Sequence, residues 1–446
     1  MDPGPPAADR SLVRALGPWV LAASIVNVTI GGSIFRLPAT VAASLGGAAP
    51  LAYLACTLAI VLVVLCFAEA GSRVSLTGGP YAYVEVAFGP FVGFLAGVLL
   101  WLAGTFAIAA VGTLLTDAIG ALVPALAPAT AQALVFLAVL LSLGWVNVVG
   151  VRQGAAVNGV MTVAKVLPLV LVIVVGALAV RRENFAFGPV PAIGTVTRTS
   201  VVLIFAYLGI ESALVPSGEV RDPARTVPRA IAIAMIAVTA IYLALHLVAE
   251  GVLGPALPTS HTPIADTAAH VLGPSGRYLV LGGATLSMLA YVSGMILAMP
   301  RALYAFARDG FLPRAVGAVH ATHRTPHVAI WLQAAIAWLL AVSGTFEKLA
   351  IIANVAILVL YAACALASLE LRRRDVRAPA QGAPGVPFRV PFARAVAMLA
   401  VLVIVVLLTS VKPKEWAVLA LVLAVASAVY AVTRANRASL AALPHE

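Results

Sequence analysis

NVTIGGSIFRLP, residues 27–38, lies inside the first long apolar stretch of a 446-residue chain, where a helix crossing a bilayer would run unbroken. It holds two adjacent glycines, a serine, an arginine and a proline. In a helix interior glycine costs about 1 kcal/mol and proline about 3 kcal/mol relative to alanine. Backbone freed from a helix inside hydrocarbon must find other partners. The stretch is therefore either a packing patch of small residues or a break that lines a polar cavity.

Composition supplies the setting. The chain is 62% hydrophobic and 10% charged, with a mean hydropathy of +1.06, whereas soluble domains carry about 25% charged residues. An all-α integral membrane protein is implied, and at about 20 residues per span its length accommodates roughly a dozen spans. The net charge of +11 belongs to no basic run in a soluble segment, so nucleic acid is not an expected partner; membrane proteins gather Lys and Arg in cytoplasmic loops. Cys56, Cys66 and Cys364 lie in apolar stretches with neither metal spacing nor a disulfide framework, and are expected to be small buried hydrophobes. Neither metal nor cofactor is expected. Residues 1–13 have no apolar core, so the first apolar segment should stay as a span and not be cleaved as a signal.

Apolar runs broken by Gly, Pro and charge predict twelve spans, near 15–45, 48–72, 88–119, 127–149, 154–180, 196–219, 226–252, 273–306, 328–344, 347–370, 393–411 and 414–433. With the N-terminus inside, nineteen Lys and Arg face the cytoplasm and seven face out, while Arg36 and Lys165 fall within spans. Both termini are expected to be cytoplasmic, in a multi-pass protein of the cell membrane. A second interruption appears in FAYLGIESALVPSGEV, residues 205–220, where Gly209 and Glu211 break an apolar run and Pro216 follows. Gly32 precedes Pro38 at nearly the interval by which Gly209 precedes Pro216. Paired interrupted helices at corresponding places in two halves point to inverted repeats in a transporter. A single transmembrane domain, 1–446, is expected: repeat one over 1–182, repeat two over 183–371, and helices eleven and twelve with a tail over 372–446.

Four stretches then carry a resemblance: GGSIFRLP (31–38), SLTGGPYAYVEVAFGPFVGFLAGVLLW (75–101), ESALVPSGEVRDPARTVPRAI (211–231) and PRALYAFARDGFLP (300–313). In this order and spacing the chain resembles bacterial amino-acid permeases of the amino acid, polyamine and organocation (APC) superfamily over nearly its whole length. The resemblance implies a five-plus-five inverted repeat in which spans one and six unwind around the substrate. Unwound backbone suits an amino acid: its carboxylate takes N–H groups at a half-helix N-terminus, and its ammonium takes carbonyls at a half-helix C-terminus.

By that resemblance Gly31, Gly32 and Ser33 match a Gly-x-Gly whose N–H groups hold the carboxylate, with Ser33 standing where relatives keep glycine. The carbonyls of Thr29, Phe205 and Leu208, beside Gly209, would receive the ammonium, and the Phe205 ring matches a lid. Ile108 and Met295, with Gly104 nearby, match the side-chain pocket and offer nothing to pair with a cation, which favours a neutral substrate. Specificity in such a pocket is weak, since one methylene is worth about 1–3 kcal/mol.

Lys165 is the sharpest single signal, because a lysine inside a span marks function by default. It lies thirteen residues beyond Arg152, roughly 20 Å into the span at about 1.5 Å per residue, too deep to snorkel. In sodium-independent relatives a lysine at the matching place stands where others bind sodium. Lys165 is thus expected to bridge carbonyls near Gly31 to Ser293, either releasing a proton during the cycle or remaining a fixed charge. Glu211 is a candidate proton carrier or gate, with a neutral structural role as its alternative. Arg36 is expected at the outer vestibule or paired with an acid, and His246 and Glu250 receive no role.

These readings predict a secondary active transporter of neutral L-amino acids working by alternating access, proton-coupled or exchanging, without sodium. The alternative is an exchanger of amines, polyamines or cationic amino acids. An enzyme is not expected, since no nucleophile with a base and no His/carboxylate cluster falls in a span, and no Gly-x-x-x-x-Gly-Lys-Ser/Thr motif is present. The partners expected are the amino acid, protons and the bilayer, with the protein a monomer or homodimer.

Overall fold

The computed structural model describes residues 17–74, 79–149, 155–185, 191–210, 223–308, 311–323, 325–377 and 387–441. Among these residues there is no strand; they form helices joined by turns and short irregular segments. The helices are α1 (Pro18–Thr29), α2 (Leu37–Leu45), α3 (Ala49–Arg73), α4 (Pro80–Phe88), α5 (Pro90–Leu122), α6 (Ala129–Val149), α7 (Ala155–Gly176) and α8 (Ile193–Ile204), followed by α9 (Pro223–Leu253), α10 (Pro263–Arg308), α11 (His327–Ser343), α12 (Phe346–Arg373), α13 (Ala393–Leu408) and α14 (Pro413–Ala441). Proline opens α1, α4, α5, α9, α10 and α14, where its fixed φ suits a first turn and its missing N–H costs nothing.

Among the described residues seven helical stretches are long and apolar enough to cross a membrane: Leu37–Arg73, Pro90–Leu122, Ala129–Val149, Arg225–Thr259, Pro263–Ala307, Phe346–Arg373 and Pro413–Thr433. The first of them turns at Gly46, whose φ of 51° separates α2 from α3. Shorter apolar helices occupy Lys165–Ala179, Ile193–Tyr207, His327–Ser343 and Ala393–Leu408. Large apolar side chains such as Trp19, Leu178, Ile193 and Leu421 point outward, as lipid permits and water does not. The protein is a polytopic membrane protein. The three cysteines are free and buried, as expected.

Two details depart from the sequence reading. Between α3 and α5 the chain forms the short helix α4, set off by Gly79 (φ 57°) and Gly89 (φ 88°); the loop signals of those glycines hid nine helical residues. The helix expected from 273 begins at Pro263 and bends at Gly273, whose φ of 69° lies outside the helical region.

The chain divides into two compact units. The first comprises residues 1–96, 162–283 and 358–410. In it α9 packs on α1 and α3, α8 lies against α2 and α3, and α13 covers α3 and α8. The far end of α3 is tied by charge: the buried Glu69 carboxylate accepts from Arg73 Nη2 (3.1 Å), Arg372 Nη1 (3.4 Å) and the backbone N–H of Val390 (3.2 Å). The second unit comprises 97–161, 284–357 and 411–446. There α11 packs on α6, Gly144 making room for the Trp331 ring, which a Cβ would approach to 2.7 Å. Gln333 is buried and accepts from Trp101 Nε1 at 2.9 Å.

Candidate functional site

The first unit holds two helix breaks side by side. At the first, α1 ends at Thr29, and Ile30 (φ −73°, ψ 80°) turns the chain out of the helix while its N–H still reaches Val26 O at 2.9 Å. The N–H of Gly31 folds back to Thr29 O at 2.7 Å. A 3-10 turn over Ser33–Phe35 follows, closed by Phe35 N–H to Gly32 O (3.2 Å) and Arg36 N–H to Ser33 O (3.0 Å). Helix α2 then starts with Pro38 in its first turn, the place where proline stiffens a helix without cost.

At the second break α8 gives way to a 3-10 turn, Phe205–Tyr207, then to extended backbone at Leu208 (φ −67°, ψ 149°) and to Gly209 with φ 112°. Only glycine adopts that last conformation without strain. The two 3-10 turns lie against one another.

Two side chains tie these breaks to the surrounding helices. The Tyr242 hydroxyl of α9, fully buried, sits 2.9 Å from Thr29 O and 2.8 Å from Ala206 O. It has one proton to donate, so it serves one carbonyl at a time and spans both breaks. Lys165 Nζ of α7 donates to Ile30 O at 3.1 Å and is 5% exposed. The lysine nitrogen therefore sits on a carbonyl freed by the first break, deep in the apolar interior. Thr29 Oγ1 is buried beside it with no hydrogen-bond partner among the described residues.

The residues expected at the site divide as follows. Thr29, Gly31, Gly32, Ser33, Lys165, Phe205, Leu208 and Gly209 all lie at the two breaks or on them, and Ser33 and Phe205 are buried. Gly104, Ile108, Ser293 and Met295 belong to the second unit. There Gly104 allows Met295 and Met299 to close on α5: a Cβ on it would meet Met299 Sδ and Met295 Cε. Ile108 is fully buried. Glu211 lies outside the described residues. Arg36 pairs with no acid among the described residues; its Nη1 donates to Ser260 O at 3.0 Å.

Sequence reasoning missed Tyr242 and its neighbours. Tyr242, His246 and Glu250 recur every fourth residue along one face of α9. That stripe is readable in the sequence; its partners on α3 and at the breaks are not.

A model of the amino acid permease family matches residues 16–433. The chain is 26% identical over 406 residues to a branched-chain amino acid permease of Bacillus subtilis, covering 85% of this chain and 86% of that one. It is 28% identical over 443 residues to the methylthioribose transporter of Bacillus subtilis, covering 94% and 93%. It is 29% identical over 381 residues to the serine/threonine exchanger of Bacillus subtilis, covering 82% and 85%. With two broken helices held in contact, and a family match that spans nearly all of the chain, the protein belongs to the amino acid permease family of the APC superfamily.

Proposed function

We propose that the protein is a secondary active transporter of neutral L-amino acids that works by alternating access and without sodium, driven by protons or by exchange. Lys165 Nζ on Ile30 O is the observation that carries this reading. A fixed or releasable positive charge on the broken backbone does the work a sodium ion would otherwise do. The carboxylate of the substrate is assigned to the N–H groups of Gly31, Gly32 and Ser33, and its ammonium to the carbonyls of Thr29, Phe205 and Leu208. The resemblance assigns Gly104, Ile108 and Met295 to the substrate side chain, and none of them carries a charge, a hydroxyl or an amide group on its side chain, which favours an apolar amino acid over a cationic one. The names of the branched-chain permease and the serine/threonine exchanger support a neutral substrate.

The same reading assigns the chain twelve spans in a five-plus-five inverted repeat, broken in spans one and six, with both termini cytoplasmic in the cell membrane. Uptake of labelled leucine and alanine into proteoliposomes, with and without sodium and with and without a pH gradient, tests it. Saturable uptake indifferent to sodium is expected. The reading fails if no amino acid is taken up saturably. A Lys165→Ala variant with full uptake would remove the lysine from the mechanism.

A further inference from the structure

Between α3 and the outer end of α9 lies a cluster that the substrate site does not use. His246 is fully buried and Glu250 nearly so, with His246 Nε2 3.5 Å from Glu250 Oε2. The Tyr53 ring of α3 packs on the imidazole at a centroid distance of 5.0 Å. Four polar atoms here, Tyr53 OH, His246 Nδ1, His246 Nε2 and Glu250 Oε2, are buried without a hydrogen-bond partner among the described residues. Buried polar groups are nearly always bonded, so such a concentration of exceptions calls for an explanation. A structural cluster would have been satisfied or replaced by apolar side chains.

Its surroundings lead to the breaks. One turn along α9 from His246 stands Tyr242, on Thr29 O and Ala206 O. Tyr242 packs edge-on against Tyr207 at 5.5 Å, and the Tyr207 hydroxyl lies 3.0 Å from Thr57 Oγ1, itself 3.3 Å from Thr239 Oγ1. Glu250, His246, Tyr242 and Thr239 thus form a polar stripe on α9, faced by Tyr53 and Thr57 of α3, that runs between the outer end of the helix and both breaks.

We propose that the His246–Glu250 pair, with Tyr53, is a proton-binding site that couples proton movement to the state of the broken helices through Tyr242. The pair shares one labile proton. With it the pair is neutral overall, either as imidazole and carboxylic acid or as imidazolium and carboxylate; without it the pair carries one negative charge. Loading forms one O–H or N–H bond with a proton drawn from water on one side, and release returns that proton to water on the other; nothing is oxidised or reduced.

Tyr53 of α3 faces the pair; the titratable groups around Tyr53 are in turn Tyr207 at the second break and Cys56 of α3, and Tyr242 stands one turn along α9. Neither α1, α2 nor the turn Gly254–Thr259 contributes one. Arg181, Arg182 and Glu183 lie in the segment bonded to Gly251 O, Arg36 is held on Ser260 O, and Lys165 on Ile30 O. The proposal rests on the transporter reading above.

The test uses the full chain. Leucine added to detergent-purified protein in weakly buffered solution containing a pH indicator should move protons, and Glu250→Gln should abolish that movement while leucine still raises the thermal midpoint. In proteoliposomes Glu250→Gln and His246→Gln should lose leucine accumulation driven by a pH gradient and keep leucine/leucine exchange at equal pH. If Glu250→Gln does not elute as a monodisperse protein, His246→Gln and Glu250→Asp take its place. Unchanged accumulation in the variants overturns the proposal, as does leucine binding without proton movement in the wild type. Loss of exchange together with accumulation in folded variants also overturns it, in favour of a structural role. Absence of any leucine or alanine uptake by the wild type is a separate result and strikes the transporter reading itself.

Discussion

Helix α3 carries a buried polar cluster near each end, and the two are solved differently. At its far end Glu69 receives three donors, from Arg73, Arg372 and Val390. Arg73 is 1% exposed and also donates to Val376 O at 3.4 Å; of its nitrogens Nε alone is without a partner among the described residues. At the near end Tyr53, His246 and Glu250 hold four atoms without a hydrogen-bond partner among the described residues, and His246 Nε2 stands 3.5 Å from Glu250 Oε2. Burial of polar groups is similar in the two places, and the satisfaction of those groups is not. A cluster whose charges are each matched is stable only in one protonation state and one geometry, which suits a clasp between α3, the end of α12 and the segment before α13. A cluster with spare donors and acceptors can change its proton count without breaking bonds that hold the fold.

The largest expected effect lies in the clasp. Glu69→Ala removes the nearer carboxylate from the buried Arg73 guanidinium, leaving it the exposed Asp375 at 3.9 Å and the Val376 carbonyl, and breaking one side of a buried pair costs about 3–5 kcal/mol. Thermal denaturation in detergent should show a steep loss of midpoint and a poor yield of monodisperse protein. If Glu69→Ala melted like the wild type, the two ends of α3 would be energetically alike and the contrast would be void. Next in size is Tyr242→Phe, which removes the donor shared by Thr29 O and Ala206 O. A buried acceptor left unmatched costs about 1–3 kcal/mol, so a moderate drop in midpoint is expected, together with slowed leucine exchange. Tyr242 thus sharpens the comparison by standing between the two kinds of cluster: satisfied, yet bonded to both helix breaks.

A smaller loss is expected from Gly209→Ala. With φ at 112° the alanine Cβ forces strain of about 1–2 kcal/mol at this residue, and the second break must shift to relieve it. Uptake should fall by more than stability does. Gly32, by contrast, has φ −79° and ψ −22°, a conformation open to any residue, so its backbone alone does not demand glycine. The two breaks thus use glycine for different reasons.

That contrast shows what the sequence could and could not disclose. The positions of both breaks were legible because Gly31, Gly32, Gly209 and Pro38 weaken helices by local physics, and local physics needs no tertiary knowledge. Lys165 was legible as an anomaly of burial, and its nitrogen donates to the Ile30 carbonyl. Helix α4 was hidden, since glycines that punctuate a loop also cap a short helix. Arg36, expected at the outer vestibule or paired with an acid, donates to a carbonyl, that of Ser260, a partner that composition and spacing do not reveal. The stripe of Tyr242, His246 and Glu250 could be counted along α9, but its meaning depends on Tyr53, about two hundred residues earlier in the chain. Only the packing of α9 on α3 joins them.

The smallest effect gives the finest test of the contrast. Tyr53→Phe deletes a hydroxyl that is fully buried and has no partner among the described residues, while leaving the ring that packs on His246. Removing an unmatched buried polar group relieves a desolvation penalty of about 1–3 kcal/mol, from which small rearrangements of the ring subtract. The melting midpoint in detergent should therefore stay level or rise, the opposite sign to Glu69→Ala on the same helix. A fall in midpoint would mean that the hydroxyl is bonded in the working protein, making the near end of α3 a satisfied cluster like the far one. A level or raised midpoint combined with slower proton movement on leucine binding separates the two roles that burial alone leaves merged, since the hydroxyl would then matter to the proton and not to the fold.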